Sequence, residues 1–261
     1  MIMGASHVTL ACTDIDLAVG RLRRHGYQPE FIDHDIWNHP SKRGIMQGWS
    51  ERHSISLLRA IGGFPIELVS YPVQHSMVRG RYIGVFNASE FRVTPCHELE
   101  AVCASITDHG LPCKSGWIQD FNLPVLFSAT EEGSACLKRL VVCARDVGRA
   151  DEFWCGGLGF KCEQATWDFA HLKLESPVAA WRLEILLVRS HTGEEKPPLN
   201  AQGMACLAFL STNVEEDVRR LASKGAECVA EPFEIVVNGK KMKVAIVVFD
   251  GAYIELLCIV T

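Results

Sequence analysis

Three glutamates stand at positions that the surrounding sequence would bury. Glu67, Glu184 and Glu255 each lie inside a short run of apolar residues with the pattern of a β-strand. An unpaired carboxylate in a buried strand is costly, so each of the three needs a partner. His7 with Glu67 would form a hydrogen-bonded acid–base pair, and Arg139 with Glu184 or Glu255 would form an ion pair.

The segments that carry these residues recur as a fourfold repeat. Each copy opens with a short apolar strand, continues through a polar capping residue into an amphipathic helix, and ends the helix at a glycine. The opening strands are predicted at residues 7–12, 91–94, 140–143 and 207–210. The helix-ending glycines are Gly26, Gly110, Gly159 and Gly225, at positions where glycine adopts the left-handed conformation without strain.

A strand-rich stretch follows each helix, and the fourth copy shows it most clearly. Its apolar runs are separated by Asn238-Gly239 and by Asp250-Gly251, two strong signals for tight hairpins. Three strands therefore follow the helix, and the repeating unit is predicted to be βαβββ.

The chain has 261 residues, which suits two domains of two units each. We predict an N-terminal domain over residues 1–133 and a C-terminal domain over residues 134–261. The linkers are predicted at residues 72–81, 131–134 and 191–202, where polar residues, glycine and proline interrupt the pattern.

Composition excludes several classes of partner. The formal net charge of -5 gives no attraction to phosphate backbones, so nucleic-acid binding is not expected. Residues 1–10 show no basic segment followed by a long apolar run, and no apolar stretch is long enough to span a membrane, so we expect a cytoplasmic protein, as a monomer or a homodimer. The eleven cysteines form no Cys-x-x-Cys pair, which favours small buried thiols in a reducing compartment over disulfides or structural zinc.

At this point the chain resembles the vicinal oxygen chelate superfamily, which includes glyoxalase I, fosfomycin- and bleomycin-resistance proteins and extradiol dioxygenases. The residues that carry the resemblance are Ser6–Leu10 with Asp14, Pro65–Val69, Trp154–Phe160 and Tyr253–Leu257. The resemblance implies an α+β fold in which four βαβββ modules form two cupped mixed β-sheets with helices outside. It also implies a divalent metal ion (Zn, Fe, Mn or Ni) inside a cup, held by His and Glu from the first and last strands of two units.

The repeat allows that ligand set to be tested position by position. Counting from the capping residues and glycines gives the first-strand positions His7, Phe91, Arg139 and Cys206 and the last-strand positions Glu67, Leu126, Glu184 and Glu255. If the units pair in sequence order, the first cup has two ligands, His7 and Glu67. The polar residues of the second cup are then Arg139, Glu184, Cys206 and Glu255, and neither cup has the full family set.

Two other arrangements of the residues would still provide a metal site. If unit one pairs with unit four, the set becomes His7, Glu67, Cys206 and Glu255, which can hold zinc or a similar ion. His53 and His171, both on predicted strands, are further candidate ligands.

The candidate ligand pocket is the first cup. His7 and Glu67 would form its polar floor, and His53, Trp37 and Trp49 are candidates for its wall, because stacking aromatic side chains line many small-molecule clefts. The sequence contains no nucleophile elbow, no P-loop, no dinucleotide-binding glycine motif and no His-Glu-x-x-His.

Three hypotheses for function follow. The first is a protein that binds a small organic molecule in the cup without the full set of metal ligands and without a cofactor. The alternative is a divalent-metal-dependent lyase or isomerase of glyoxalase type, with His7, Glu67 and Glu255 as metal ligands. The third is a decayed, non-catalytic interaction module.

Overall fold

The structure is a computed structural model that describes residues 1–72, 81–87, 93–118, 123–128, 136–175, 181–190, 196–201 and 203–260. It contains all four units and confirms the α+β class with mixed, cupped sheets. No helix among these residues is long and apolar enough to cross a membrane.

Unit one contains β1 (Ile2–Cys12), α1 (Ile15–Arg23), β2 (Gln28–Trp37), β3 (Arg52–Arg59) and β4 (Ile66–Ser70). A 3-10 helix, Pro40–Ile45, lies between β2 and β3. The Asp14 side chain accepts a hydrogen bond from the Leu17 amide, which satisfies one of the free N–H groups at the start of α1. The helix then buries the face predicted from its spacing, namely Ile15, Ala18, Val19 and Leu22.

Unit two contains β5 (Tyr82–Asn87), β6 (Val93–Thr94), α2 (Glu100–Asp108), β7 (Cys113–Ile118) and β8 (Leu123–Ser128). The prediction that residues 91–94 open this unit was wrong, because β5 is the strand that pairs in parallel with the last strand, β8. The short β6 instead pairs with β7 at the edge of the sheet. Phe91, the predicted first-strand position, lies outside the described residues.

Unit three contains β9 (Leu137–Ala144), α3 (Val147–Leu158), β10 (Lys161–Ala165), β11 (Phe169–Glu175) and β12 (Arg182–Arg189). Unit four contains β13 (Gly203–Ser211), α4 (Val214–Ala222), β14 (Glu227–Val237), β15 (Lys240–Phe249) and β16 (Ala252–Ile259). Both predicted hairpins of unit four are present, with Asn238 at φ 50° and Asp250 at φ 47°, each followed by a glycine of positive φ.

The sixteen strands form one sheet made of two curved halves. One half runs β2-β3-β4-β1-β13-β16-β15-β14 and joins unit one to unit four; we call it the terminal cup. The other runs β10-β11-β12-β9-β5-β8-β7-β6 and joins unit two to unit three; we call it the central cup. A single pairing between Met204 of β13 and Tyr82 of β5 connects them.

Pairing of the units in sequence order is therefore wrong. The central contacts are antiparallel and run between β1 and β13 and between β5 and β9, so the structure has the alternative pairing of unit one with unit four. The boundary predicted between residues 133 and 134 lies outside the described residues and stays a prediction. The halves 1–133 and 134–261 are not separate cups, because each contributes one unit to each cup.

The two cups differ in what fills them. The apolar faces of α1, α3 and α4 pack in the large core outside the sheets. Ile106 of α2 instead packs with the inward-facing residues of the central cup, which include Val85, Leu126, Val141 and Leu186. The cavity that remains there measures about 90 Å³, against about 400 Å³ in the terminal cup. Only the latter is within the usual size range of small-ligand sites, ~300–1,000 Å³.

All eleven cysteines are free thiols. Cys96, Cys136 and Cys206 are buried, Cys162 is exposed, and the others are partly buried. Burial is therefore less complete than the sequence predicted; Cys162 and Cys228, for example, lie on the edge strands β10 and β14.

Tyr27 connects unit one to unit three through its buried hydroxyl group. The hydroxyl donates to the Phe64 carbonyl at 3.3 Å and accepts from the Leu137 amide at 2.8 Å. We expect Tyr27→Phe to lower the free energy of unfolding by about 1–3 kcal/mol, because two buried backbone groups lose their partner. Urea unfolding measures this. Tyr253→Phe is the matched control, since the Tyr253 hydroxyl makes no hydrogen bond in the described structure, and an equal loss in both variants would contradict the prediction.

Candidate metal centre

One side chain from each of three strands reaches the floor of the terminal cup. His7 lies on β1, Glu67 on β4 and Glu255 on β16. Nε2 of His7 is 3.4 Å from Oε2 of Glu67 and 3.9 Å from Oε2 of Glu255. The potential ligand atoms of the three residues all lie within 4.8 Å of one another. The strand pairings of units one and four thus bring together residues that are up to 248 positions apart, from 7 to 255.

Neighbouring hydroxyl groups orient two of these side chains. Nδ1 of His7 lies 3.0 Å from the hydroxyl oxygen of Ser6, and the Thr9 hydroxyl donates to Oε1 of Glu67 at 3.2 Å. Nε2 of His7 is buried and makes no hydrogen bond to any described residue. Metal-binding imidazoles and carboxylates are usually held in this way by a second partner, while the ligating atom stays free.

Burial dominates the electrostatics of the floor. It lowers the pKa of His7 to about 4. The negative charge of Glu255 opposes this shift, and the positive charge of Arg59 adds a smaller decrease in the pKa. Burial raises the pKa of Glu67 to about 7 and raises that of Glu255, although the charge of Lys42 opposes both shifts. The imidazole is therefore neutral at pH 7, and the two carboxylates are costly to ionise without a further cation. This arrangement fits a divalent metal ion.

The walls of the cavity come mainly from inward-facing strand residues. Glu67, Val69 and Tyr71 line it at every second position of β4 and its continuation. His53 of β3 also lines it and stacks on Tyr71, with ring centroids 5.3 Å apart. Burial, followed by the charge of Lys42, lowers the pKa of His53 to about 3.

The predicted set of second-cup residues is divided between the two cups. Cys206 and Glu255 lie in the terminal cup, because β13 pairs with β1. Cys206 lines the cavity, but its sulfur is not among the clustered ligand atoms, and burial raises the pKa of its thiol well above the usual value. The four-ligand set that included Cys206 is therefore reduced to three residues.

Arg139 and Glu184 lie in the central cup and form an ion pair there. Nε of Arg139 is 2.6 Å from Oε2 of Glu184, and Nε2 of His171 is 3.1 Å from the same oxygen. Burial opposes ionisation of Glu184, but the hydrogen bonds from His171 and Arg139 outweigh it and lower its pKa to about 2. His171 thus forms a hydrogen bond with Glu184, and Arg139 is the counter-ion of this glutamate.

Neither Trp37 nor Trp49 lines the cavity. Trp37 is 46% exposed, because it follows the inward-facing Ile36 on β2 and so points to the other side of the strand. Trp49 lies in the loop after the 3-10 helix, where the Arg43 guanidinium stacks 5.0 Å from its ring centre.

Tyr71 and Lys42 are two of the cavity residues that the sequence did not indicate. Tyr71 continues the two-residue period of Glu67 and Val69, so strict alternation would have identified it. Lys42 lies on the 3-10 helix between strands, and its side chain is 6% exposed. No sequence pattern places a loop lysine inside a cup.

The chain is similar to one family and to several solved structures. Residues 137–251 match the model of the Glyoxalase/Bleomycin resistance protein/Dioxygenase superfamily. No curated protein matches the sequence.

The similar structures cover nearly the whole chain. Glyoxalase I from Zea mays aligns with a TM-score of 0.57 and 14% identity, over 98% of this chain and 92% of that one. Its V278E mutant gives a TM-score of 0.59 at the same identity and coverage. A Bacillus subtilis subsp. subtilis str. 168 protein, described only as a presumed dioxygenase, aligns with a TM-score of 0.57 and 10% identity, over 98% and 85% of the two chains. These similarities establish the fold.

The ion pair of the central cup predicts a pH-dependent part of the stability. The folded-state pKa of Glu184 is about 2, below the ordinary glutamate value of 4.5, so its contribution to stability is present above pH 4.5 and is lost as the pH falls towards 2. We expect Glu184→Gln to reduce the free energy of unfolding on the order of 1 kcal/mol at pH 6 and by almost nothing near pH 2. Denaturant titrations across this range measure the difference. Glu175→Gln, which removes an exposed ion pair with Arg182, is the control; a pH-independent difference for Glu184→Gln would contradict the assignment.

Proposed function

We propose that this chain belongs to the Glyoxalase/Bleomycin resistance protein/Dioxygenase superfamily, whose model matches residues 137–251, and that it is a divalent-metal-dependent lyase or isomerase of glyoxalase type. The observation that carries the proposal is the convergence of His7 Nε2 with the carboxylates of Glu67 and Glu255 on the floor of a cavity of about 400 Å³. A cytoplasmic location and a monomeric or dimeric state stay predictions.

The donor set suits the proposed ion. One imidazole nitrogen and two carboxylate oxygens are ligands that Zn²⁺, Mn²⁺, Fe²⁺ and Ni²⁺ accept in proteins. Three protein ligands leave coordination positions open, as in catalytic rather than structural sites. When bound, such an ion supplies Lewis-acid polarisation of a substrate oxygen.

The protein itself supplies proton transfer and exclusion of water. Three carboxylates line the cavity, and Glu30 is paired with Arg59 at 2.7 Å. A proton taken from the substrate would therefore go to Glu67 or Glu255. The buried apolar walls, with Ile55, Val69 and Ile246, keep the substrate away from bulk water.

A metal-free binding protein is the second candidate, and one observation favours it. The charge of Lys42 lowers the pKa of both Glu67 and Glu255, so a cation of the protein already acts on the acidic floor. In this alternative, Lys42 takes the place of the metal ion, and the cup holds a small organic molecule without a cofactor.

Metal binding separates the two candidates. We expect the purified wild-type protein, freed of metal by a chelator, to bind one equivalent of Mn²⁺ or Ni²⁺ in calorimetric titration. His7→Ala, Glu67→Gln and Glu255→Gln should each weaken binding by about 100-fold or more, because each removes a ligand. The matched control is Glu184→Gln, which changes the equivalent last-strand glutamate of the central cup. Absence of binding by the wild type would favour the metal-free candidate, and equal loss in the control would contradict the assigned site.

The affinity for the metal ion should depend on pH. In the metal-free protein the pKa of Glu67 is about 7, so below pH 7 a bound proton must leave before the carboxylate can ligate. His7, with a pKa of about 4, stays neutral down to that range. We expect the affinity to fall by up to about tenfold per pH unit between pH 7 and pH 5, with a smaller slope in Glu67→Gln. A pH-independent affinity in the wild type would contradict this account of the floor.

A further inference from the structure

The mouth of the terminal cup is crossed by a fixed segment. The strands β2 and β14 are the two edges of this half of the sheet, and the 3-10 helix that follows β2 packs against β14. His39, at its start, stacks on Phe233 of β14 with ring centroids 4.4 Å apart. The helix therefore bridges the two edges of the cup.

Backbone and amide hydrogen bonds hold the far end of this segment. The Leu199 amide donates to the Ile45 carbonyl at 2.7 Å. The Asn200 side chain accepts from the Gln47 amide at 2.9 Å and donates to the Gln47 carbonyl at 2.8 Å. These contacts fix the position of the helix over the cavity before any ligand arrives.

Lys42 points from this helix into the cavity. Its side chain is 6% exposed and lines the same space as His7, Glu67 and Glu255. The ammonium nitrogen lies 5.8 Å from the centre of the Phe233 ring. Among the described residues it has no hydrogen bond and no ion pair, although burial of an unpaired ammonium group is costly.

The charges of the site show what this ammonium group is suited to bind. Two ionised carboxylates, Glu67 and Glu255, balance one divalent ion, and the imidazole of His7 is neutral. Arg59, another cation of the wall, already pairs with Glu30. Once the floor holds its metal ion, the buried charge of Lys42 is therefore left without a counter-charge inside the cavity.

We propose that Lys42 is the anion-binding residue of this cavity, and that the substrate is a small organic acid whose carboxylate pairs with Lys42 while its other oxygens face the metal ion. This inference rests on the proposed function, because without the metal ion Lys42 instead neutralises the glutamates. Lys42 determines specificity and takes no part in the proton transfer.

The test compares an acid with its neutral isostere. 3,4-Dihydroxybenzoate and 3,4-dihydroxybenzamide share two adjacent hydroxyl groups for the metal and differ in the charge at the opposite end of the ring. We expect the Mn²⁺-loaded wild type to bind the acid at least about tenfold more tightly than the amide, because a buried charge-assisted hydrogen bond is added. Lys42→Met, which keeps the length and apolar stem of the side chain, should abolish this preference.

Two controls make the outcome specific. Lys240→Met removes another lysine that lines the cavity, but an exposed one, and should keep the preference for the acid. A titration with Mn²⁺ alone should give the same stoichiometry for Lys42→Met as for the wild type, which also reports a folded site. If the wild type binds Mn²⁺ but does not prefer the acid, or if Lys42→Met keeps the preference, this inference is overturned and the proposed function stands. If the wild type binds no metal ion, the proposed function falls and the inference falls with it.

Discussion

The antiparallel pairing of β1 with β13 is the constraint on which the site depends. It joins the first unit of the chain to the last and sets β4 and β16 on either side of the paired strands. The last strands then present Glu67 and Glu255 to the same concave face as His7. With any other pairing of units, Glu255 would lie in a different cup from His7, and this cluster of three candidate ligands would not form.

The two cups differ in how their buried, inward-facing glutamates are stabilised. In the central cup, Arg139 and His171 satisfy the inward-facing Glu184, and α2 fills the space above it. In the terminal cup, the ion-pair distances of Glu67 and Glu255 among the described residues are to the single imidazole of His7, and a cavity of about 400 Å³ remains beside them. The hydrogen bond from Thr9 to Glu67 does not offset the burial of two carboxylates, as the raised pKa values of Glu67 and Glu255 indicate.

The sequence predicted the repeat, the capping residues and the strand positions of the candidate ligands because these are local properties. His7, Glu67 and Glu255 could be placed by counting from capping residues and glycines, since strand alternation fixes the face of each side chain. Which units pair with each other could not be predicted in this way, because the first strands of the four units are similar. The position of α2 could not be predicted either, because it depends on the short edge strand β6, which precedes the helix instead of following it. Lys42 was missed for a related reason: a turn of 3-10 helix has no periodicity that indicates which way its one lysine points.

The placement of Lys42 follows from the geometry of an open cup. The edge strands β2 and β14 are not joined by strand pairing, and the chain that leaves β2 packs against β14 as the 3-10 helix. His39 stacks on Phe233 at the start of this helix, and the ammonium nitrogen of Lys42 lies 5.8 Å from the centre of the same ring. Lys42 lines the same cavity as the acidic floor. In the proposed function, a rigid segment at this point would select among ligands by charge, whereas a metal ion on the floor would select by the oxygens that reach it. The candidate metal ligands therefore lie on the strands β1, β4 and β16, whereas the residue proposed to select the substrate lies on the 3-10 helix, so a substitution of Lys42 leaves all three ligands in place.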